Sequence, residues 1–483
     1  MASQIPHIVC LPAPAQGHIN PMIKLAKLIH SKGFYITFVL TEFDLARVIE
    51  NSAIKSSFFE GLPDFRVETI PDGLPMDNKH SLHDLPELCE NLLDGEAKKA
   101  FKEVLGRLNA SPDIPLITCV IADGVMCFVP DVTIELGIPL LNFYTTSACG
   151  MLAYMQYDDL LKRGYFPLKD ESYLTNGYLD TPTDWVPGLI KGTKLKHFPT
   201  FIRTTNPNDT MFNYLAKAAR NSVLAEGMIL NTFDDLEAEG LKEIKNKVPN
   251  LFTIGPLTLL CKQLNGQEIL PQKLNLWKED STCLEWLDKR SPNSVIYVNY
   301  GSLAILTPKQ LEEFAWGLAN SNHPFLWIIR SDLVEGKSEI ITQEYLEEIK
   351  GRGLISSWCP QEKVLQHPSV AVFLTHCGWN STLECISEGV PIICWPFFAE
   401  QQTNCLYACQ EWKIGVEMEE GKVSREEVVE LVKEIMESEK GKEVRENAME
   451  WKKKAEKAIK IGGSSHNSFE FLVNYLKGNN TNF

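Results

Sequence analysis

No stretch of the sequence approaches eighteen consecutive apolar residues, so no membrane-crossing helix is expected. Positive charge is in deficit: 47 Lys and Arg stand against 63 Asp and Glu, a net charge of −16. That balance repels a nucleic-acid backbone and an anionic membrane alike, and neither is an expected partner. The opening segment MASQIPHIVCLPAPAQGH lacks a basic leader region and its apolar stretch is broken by prolines, which makes the expected compartment cytoplasmic. Cysteine occurs thirteen times, never as Cys-x-x-Cys and mostly inside apolar runs; free thiols are expected, not bridges. No Asp-x-Asp pair and no His/Cys cluster at metal spacing occurs, so no metal is expected. Neither G-x-G-x-x-G nor a P-loop is present, and nicotinamide and P-loop chemistries lose their main support.

What is present is a long, ordinary globular composition: 483 residues, 44% hydrophobic and 23% charged. That length exceeds one domain and suits two. Strand-like runs at 8–11, 35–40, 65–70, 116–122, 139–143, 228–231 and 252–257 alternate with helical patterns at 21–30, 42–50, 82–108, 128–136 and 234–244. The alternation restarts with strands at 294–299, 325–329, 354–356, 370–374 and 391–394, and helices beginning near 308, 361, 380 and 400. Such a rhythm predicts an α/β chain of two Rossmann-like domains with parallel sheets. The expected division is residues 1–250, a linker at 251–280, a second domain at 281–461, and a terminal helix at 462–483 set off by Gly462-Gly463.

Ligands of open parallel sheets bind beyond the carboxyl ends of the strands, which singles out the residues just after each run. His18 follows the first strand in a turn-forming stretch, and the ordinary pKa of an imidazole lies near neutrality, as a general base requires. Asp123 ends the strand 116–122, where an acid after an apolar run needs a partner. From the residues alone two readings stand: a base with its orienting carboxylate, or a helix-start His and an unrelated helix cap. In the second half, strand 370–374, the turn through Gly378 and a helix beginning at Asn380 together make an anion site, because first-turn N–H groups are unpaired. His376, Asn380 and Ser381 sit where side-chain donors would join it, and Gly301-Ser302 offers a second loop; ordinary helix capping is the alternative. Glu384, one helical turn past Asn380, suits two ribose hydroxyls, and Trp358 offers either a face for a base or a rim packed on Pro360.

The 44 residues from Trp358 to Gln401, WCPQEKVLQHPSVAVFLTHCGWNSTLECISEGVPIICWPFFAEQ, resemble the signature box of plant family-1 UDP-glycosyltransferases. The resemblance extends through PAQGHINP, NTFDDLE and IGPL, and FYTTSACG and KHFPTFIRTTNPND resemble the branch of cyanohydrin and (iso)flavonoid glucosyltransferases. It implies the GT-B fold, two Rossmann-like domains facing across a cleft, with the last helix returning to the first domain. It implies that Trp358 stacks on uracil, that the Cys359 backbone meets the base edge with Gln361 nearby, and that Glu384 holds the ribose. Ser302, His376, Asn380 and Ser381 then meet the diphosphate, while Trp379, Glu400 and Gln401 meet the sugar; Thr145 joins this sugar-nucleotide set. His18 and Asp123 match the family's catalytic dyad. Two positions depart from the usual box: Cys359 stands where Ala is usual and Glu400 where Asp is common, which bears on the hexose.

The expectation is an inverting, metal-independent transfer of glucose from UDP-glucose, a co-substrate, onto a hydroxyl of a small hydrophobic natural product, with a flavonoid or isoflavonoid first and a monomeric enzyme. No cofactor is expected. Two other classes are a non-catalytic sugar-nucleotide binder and a GT-B epimerase. Incubation with UDP-glucose and a phenolic mixture separates them by new glycosides, no change or an altered sugar. Acceptor walls are expected from loops at 80–86, 125–128, 144–151 and 185–200.

Overall fold

Apolar, β-branched runs buried on both faces build the centre of each half of the molecule. The computed structural model describes residues 5–51, 62, 64–74, 85–248, 250–264, 273–330, 333, 341–419 and 423–478. Among these residues thirteen strands form two sheets, and every strand pairing within them is parallel. The chain divides into two units, Met1–Trp277 with Lys457–Phe483, and Lys278–Glu456.

The first sheet runs β3-β2-β1-β4-β5-β6-β7, from β1 (His7–Leu11), β2 (Tyr35–Thr41), β3 (Phe65–Ile70), β4 (Ile117–Asp123), β5 (Leu140–Tyr144), β6 (Gly227–Leu230) and β7 (Leu251–Thr253). All five residues of β1 are buried, as expected where helices cover both faces of a parallel sheet. Strand order reverses between β1 and β4, which pair through Leu11 and Ala122 at their carboxyl ends. A reversal of this kind opens a crevice for ligands. The stretch between β5 and β6 carries a cluster of its own, including Phe166, Leu179, Val186, Leu195 and Phe198.

The second sheet runs β10-β9-β8-β11-β12-β13, from β8 (Val295–Asn299), β9 (Phe325–Ile328), β10 (Gly353–Ser356), β11 (Val370–Thr375), β12 (Ile392–Cys394) and β13 (Gly415–Glu417). Its reversal lies between β8 and β11, paired at Asn299 and Thr375. Trp327, Phe314, Phe325 and Leu374 fill the core on one side.

Three differences from the sequence reading have physical causes. Pro21 reads as a first-turn proline, yet the helix is Gln16–His30 with Pro21 inside it. His18 therefore stands on the first helical turn and not in a loop. The stretch 82–108 forms two helices, Leu85–Asp94 and Glu96–Ala110. The linker expected at 251–280 is mostly part of the first unit: β7 completes the sheet, the helix Leu257–Lys262 follows, and Lys24 Nζ donates to Thr258 at 2.7 Å. Leu274 and Leu276 are bound too, for Gln16 Nε2 donates to the Leu274 carbonyl at 2.9 Å and Gln16 Oε1 accepts the Leu276 N–H at 2.7 Å. The return to the first unit falls inside the helix Glu439–Ile459, before Gly462.

Candidate active site

The first cluster of site residues forms at the reversal of the first sheet. Asp123 is the last residue of β4, 1% exposed, and His18 is 31% exposed. His18 Nδ1 lies 2.7 Å from Asp123 Oδ2, and the other carboxylate oxygen accepts the Val125 N–H at 3.2 Å. An ionised carboxylate only accepts, so Nδ1 carries the proton and Nε2 of the neutral ring carries the lone pair. Thr145 Oγ1 stands 3.0 Å from the same Nδ1. Thr145, expected with the sugar-nucleotide set, thus lies against the imidazole. It follows β5, whose last residue Tyr144 donates to the Ala218 carbonyl at 3.0 Å.

The second cluster forms at the reversal of the second sheet. β11 ends at Thr375, the turn His376-Cys377-Gly378 follows, and the helix Trp379–Glu388 begins one residue earlier than expected. Its N-cap is Gly378, which offers no side-chain cap, so peptide N–H groups are presented at its start. His376 packs between two glycines. A methyl on Gly378 would come within 2.4 Å of His376 Nε2 and one on Gly301 within 2.5 Å, and Gly301 holds φ at +77°. A larger residue at either place must displace the His376 ring. Burial, with the Arg330 charge as a lesser cause, lowers the His376 pKa to about 4, so the ring is neutral near pH 7. Its Nδ1 is buried with no hydrogen-bond partner among the described residues.

Gln361 ties the pieces of this cluster together. Its Nε2 donates to Ser381 Oγ at 3.0 Å and to Glu384 Oε2 at 2.7 Å, while its Oε1 accepts from Tyr297 and Asn299, both at 2.9 Å. Glu384 is thereby held on the helix face it shares with Asn380. Cys359 is buried and its sulfur lies 3.3 Å from the Tyr297 hydroxyl, which leaves its backbone for any contact outside the core. Trp358 is part-exposed, and its carbonyl accepts the Asp280 N–H at 2.9 Å. Gln401 Oε1 accepts the N–H groups of Phe397 and Phe398 at 2.9 and 3.1 Å, bracing the turn that carries Glu400. The Trp379 ring is buried against Trp412, centroids 6.0 Å apart. Ser302 lies in the turn after β8, beside Gly301.

Tyr297, Asn299 and Arg330 complete this site and were not singled out from the sequence. The Arg330 guanidinium is buried and donates to the carbonyls of Gly301 and, at 2.8 Å, Ala304, fixing the loop that carries Ser302. Asn299, a polar residue closing an apolar strand, was the available signal. Of the expected acceptor loops, residues 80–84 lie outside the described residues. The segment 144–151 is fixed by Glu237, whose buried carboxylate accepts the Ala148 and Cys149 N–H groups at 3.0 and 2.9 Å.

The profile of the family described as UDP-glucoronosyl and UDP-glucosyl transferase matches residues 276–454. Linamarin synthase 1 of Manihot esculenta is 52% identical over 469 residues, 97% of this chain and 96% of that protein. The chain belongs to the plant family-1 UDP-glycosyltransferases. A 7-deoxyloganetin glucosyltransferase of Gardenia jasminoides is 50% identical to this glycosyltransferase over 473 residues, 97% of each chain. Among solved structures, Os79 from O. sativa in complex with UDP superposes with a TM-score of 0.80 at 27% identity, covering 97% of this chain and all of that one. A UDP-glucose: anthocyanidin 3-O-glucosyltransferase in complex with UDP reaches 0.82 at 26% identity, covering 99% and 100%. The glycosyltransferase thus has the GT-B fold, and it is a UDP-glucosyltransferase. Among the described residues no helix is long and apolar enough to cross a membrane.

Proposed function

We propose that the enzyme transfers glucose from UDP-glucose to a hydroxyl of a small acceptor in one inverting displacement, with His18 as general base and Asp123 as its orienting partner. The observation that carries this is the 2.7 Å contact between His18 Nδ1 and the buried Asp123 carboxylate. With Nδ1–H donated to Asp123, Nε2 takes the acceptor's hydroxyl proton and Asp123 stabilises the imidazolium that forms. The oxygen attacks the anomeric carbon opposite the UDP leaving group, so an α-linked donor yields a β-glucoside. Charge developing on the diphosphate meets the N–H groups at the start of helix Trp379–Glu388 and the donors His376, Asn380, Ser381 and Ser302. Each such donor is worth about 10²–10³ in rate. Glu384, held by Gln361, accepts from the ribose; Trp358 stacks on uracil, the Cys359 backbone meets its edge, and Trp379, Glu400 and Gln401 serve the sugar.

The acceptor we infer is a small aliphatic or terpenoid alcohol of the cyanohydrin or iridoid kind. The names Linamarin synthase 1 and 7-deoxyloganetin glucosyltransferase support it, and neither supports the flavonoid or isoflavonoid expected first. Replacing His18 by Ala abolishes transfer and leaves UDP binding nearly unchanged, read by product formation and calorimetry; near-normal turnover in that variant refutes the base. A screen of UDP-sugars against cyanohydrins, iridoid and other terpenoid alcohols, flavonoids and isoflavones ranks the acceptors, and a flavonoid preference overturns that choice.

A further inference from the structure

Spacing along the chain offers no metal motif, yet the fold of the second unit gathers thiols from successive segments. Cys377 lies in the turn after β11, Cys394 ends β12, and Cys405 lies in the helix Gln401–Leu406. All three are buried, and their sulfur atoms lie within 4.8 Å of one another. A fourth thiol, Cys409, stands in a π-helical turn, Tyr407–Glu411, with its sulfur 3.8 Å from that of Cys394. It is the one cysteine of the thirteen that is not buried.

We propose that Cys377, Cys394 and Cys405, with Cys409 as fourth ligand, form a structural site for a thiophilic d¹⁰ cation of the zinc class. An all-sulfur donor set selects such ions over magnesium, calcium or manganese. Tetrahedral zinc sits about 2.3 Å from each thiolate, which sets sulfur–sulfur separations near about 3.8 Å. The Cys394–Cys409 pair already has that separation, and the distances among Cys377, Cys394 and Cys405 need to close by about 1 Å at most. A disulfide would use two sulfurs and leave the third crowded, whereas one cation uses all of them.

Binding is ligand exchange without electron transfer. Each thiol that ligates gives its proton to solvent, and the cation takes the sulfur lone pairs. Two details of the backbone already serve this arrangement. Cys377 is held in the left-handed region at φ +63°, and its carbonyl accepts from buried Asn404 Nδ2 at 2.9 Å, a link between the same turn and helix. The sequence shows what the ion would brace: Cys377 lies between His376 and Gly378, and Cys394 and Cys405 flank Glu400 and Gln401. With four protein ligands the site is closed to substrate, so the ion is structural and the inference stands whether or not His18 is the base.

The test uses the full-length enzyme, reduced and stripped of metal, titrated with Cd²⁺. A sulfur-to-cadmium charge-transfer band that saturates at one equivalent per chain, with a raised melting temperature, is the expected result. Cys405→Ser and Cys409→Ser each remove that saturation at one equivalent while UDP binding persists. X-ray absorption on the zinc-loaded wild type gives a first shell of three or four sulfurs at about 2.3 Å. That measurement decides the matter alone should the serine variants fail to fold. The absence of a band at one equivalent, an equal band in Cys394→Ser/Cys405→Ser, or a nitrogen and oxygen shell around zinc each overturns the site.

Discussion

The Asp123 carboxylate is fixed from two sides, by the Val125 N–H and by His18, so an amide in its place keeps the shape and loses the charge. Asp123→Asn is expected to lower kcat by about 10³–10⁴ while KM for UDP-glucose stays within about threefold, because the imidazole loses its tautomer and its counter-charge. Initial-rate kinetics check the split. In the donor site, Gly378→Ala forces a methyl to 2.4 Å from His376 Nε2 and must displace the ring. Its expected effect is a rise of about tenfold or more in the Kd for UDP, the size of one good charge-assisted contact, read by calorimetry. At this scale the sequence showed the residues that follow strands, because the reversal of a parallel sheet puts them beside ligands. It did not show Tyr297 or Arg330, which act from inside β8 and beyond the end of β9. A buried Tyr in an apolar strand reads as core until its hydroxyl is seen 2.9 Å from Gln361.

Whole segments gain their places through a few long-range contacts. Gln16 binds the backbone at Leu274 and Leu276 through both ends of its amide, so Gln16→Ala leaves buried groups unpaired and should cost about 1–3 kcal/mol in chemical denaturation. Phe252 on β7 lies 5.4 Å from Phe471 and 5.6 Å from Tyr475, both on the helix Ser464–Leu476. Phe252→Ala is therefore expected to cost about 3–5 kcal/mol and to loosen that helix, visible as faster amide exchange over 464–476. Most strands were legible to within about one residue, since β-branched runs bounded by Pro, Gly and Asp leave little choice; the run at 252–257 was not, for the strand is Leu251–Thr253 and the chain turns through Pro256 into a helix. β13, Gly415–Glu417, was missed because Gly and Glu flank Val416, its one apolar side chain. The segment 254–277 read as linker because its contacts are made by Gln16, Lys24 and Arg47, more than two hundred positions away.

Across the molecule, buried titratable groups set opposing slopes of stability against pH. Burial is the main cause that lowers His7, His197 and His376 to about 4, from an ordinary value of 6.5. Between those values the unfolded chain binds more protons, so this stabilisation is full above 6.5 and is lost as pH falls through about 4. Asp44 acts the other way: burial raises it to about 7 from 3.8, so its contribution is full below 3.8 and is lost as pH rises through about 7. Asp44→Asn should accordingly raise the melting temperature more at pH 8 than at pH 5, and equal gains at both would show that the carboxyl is not the cause. One further consequence follows from the first unit's being made of two stretches that flank the second. A ribosome finishes Lys278–Glu456 as one uninterrupted piece, but the unit begun before it must wait for the helix Ser464–Leu476, which is translated after that piece. A stop codon ahead of Ser464 would therefore cripple the unit begun before Lys278–Glu456 more than that piece itself.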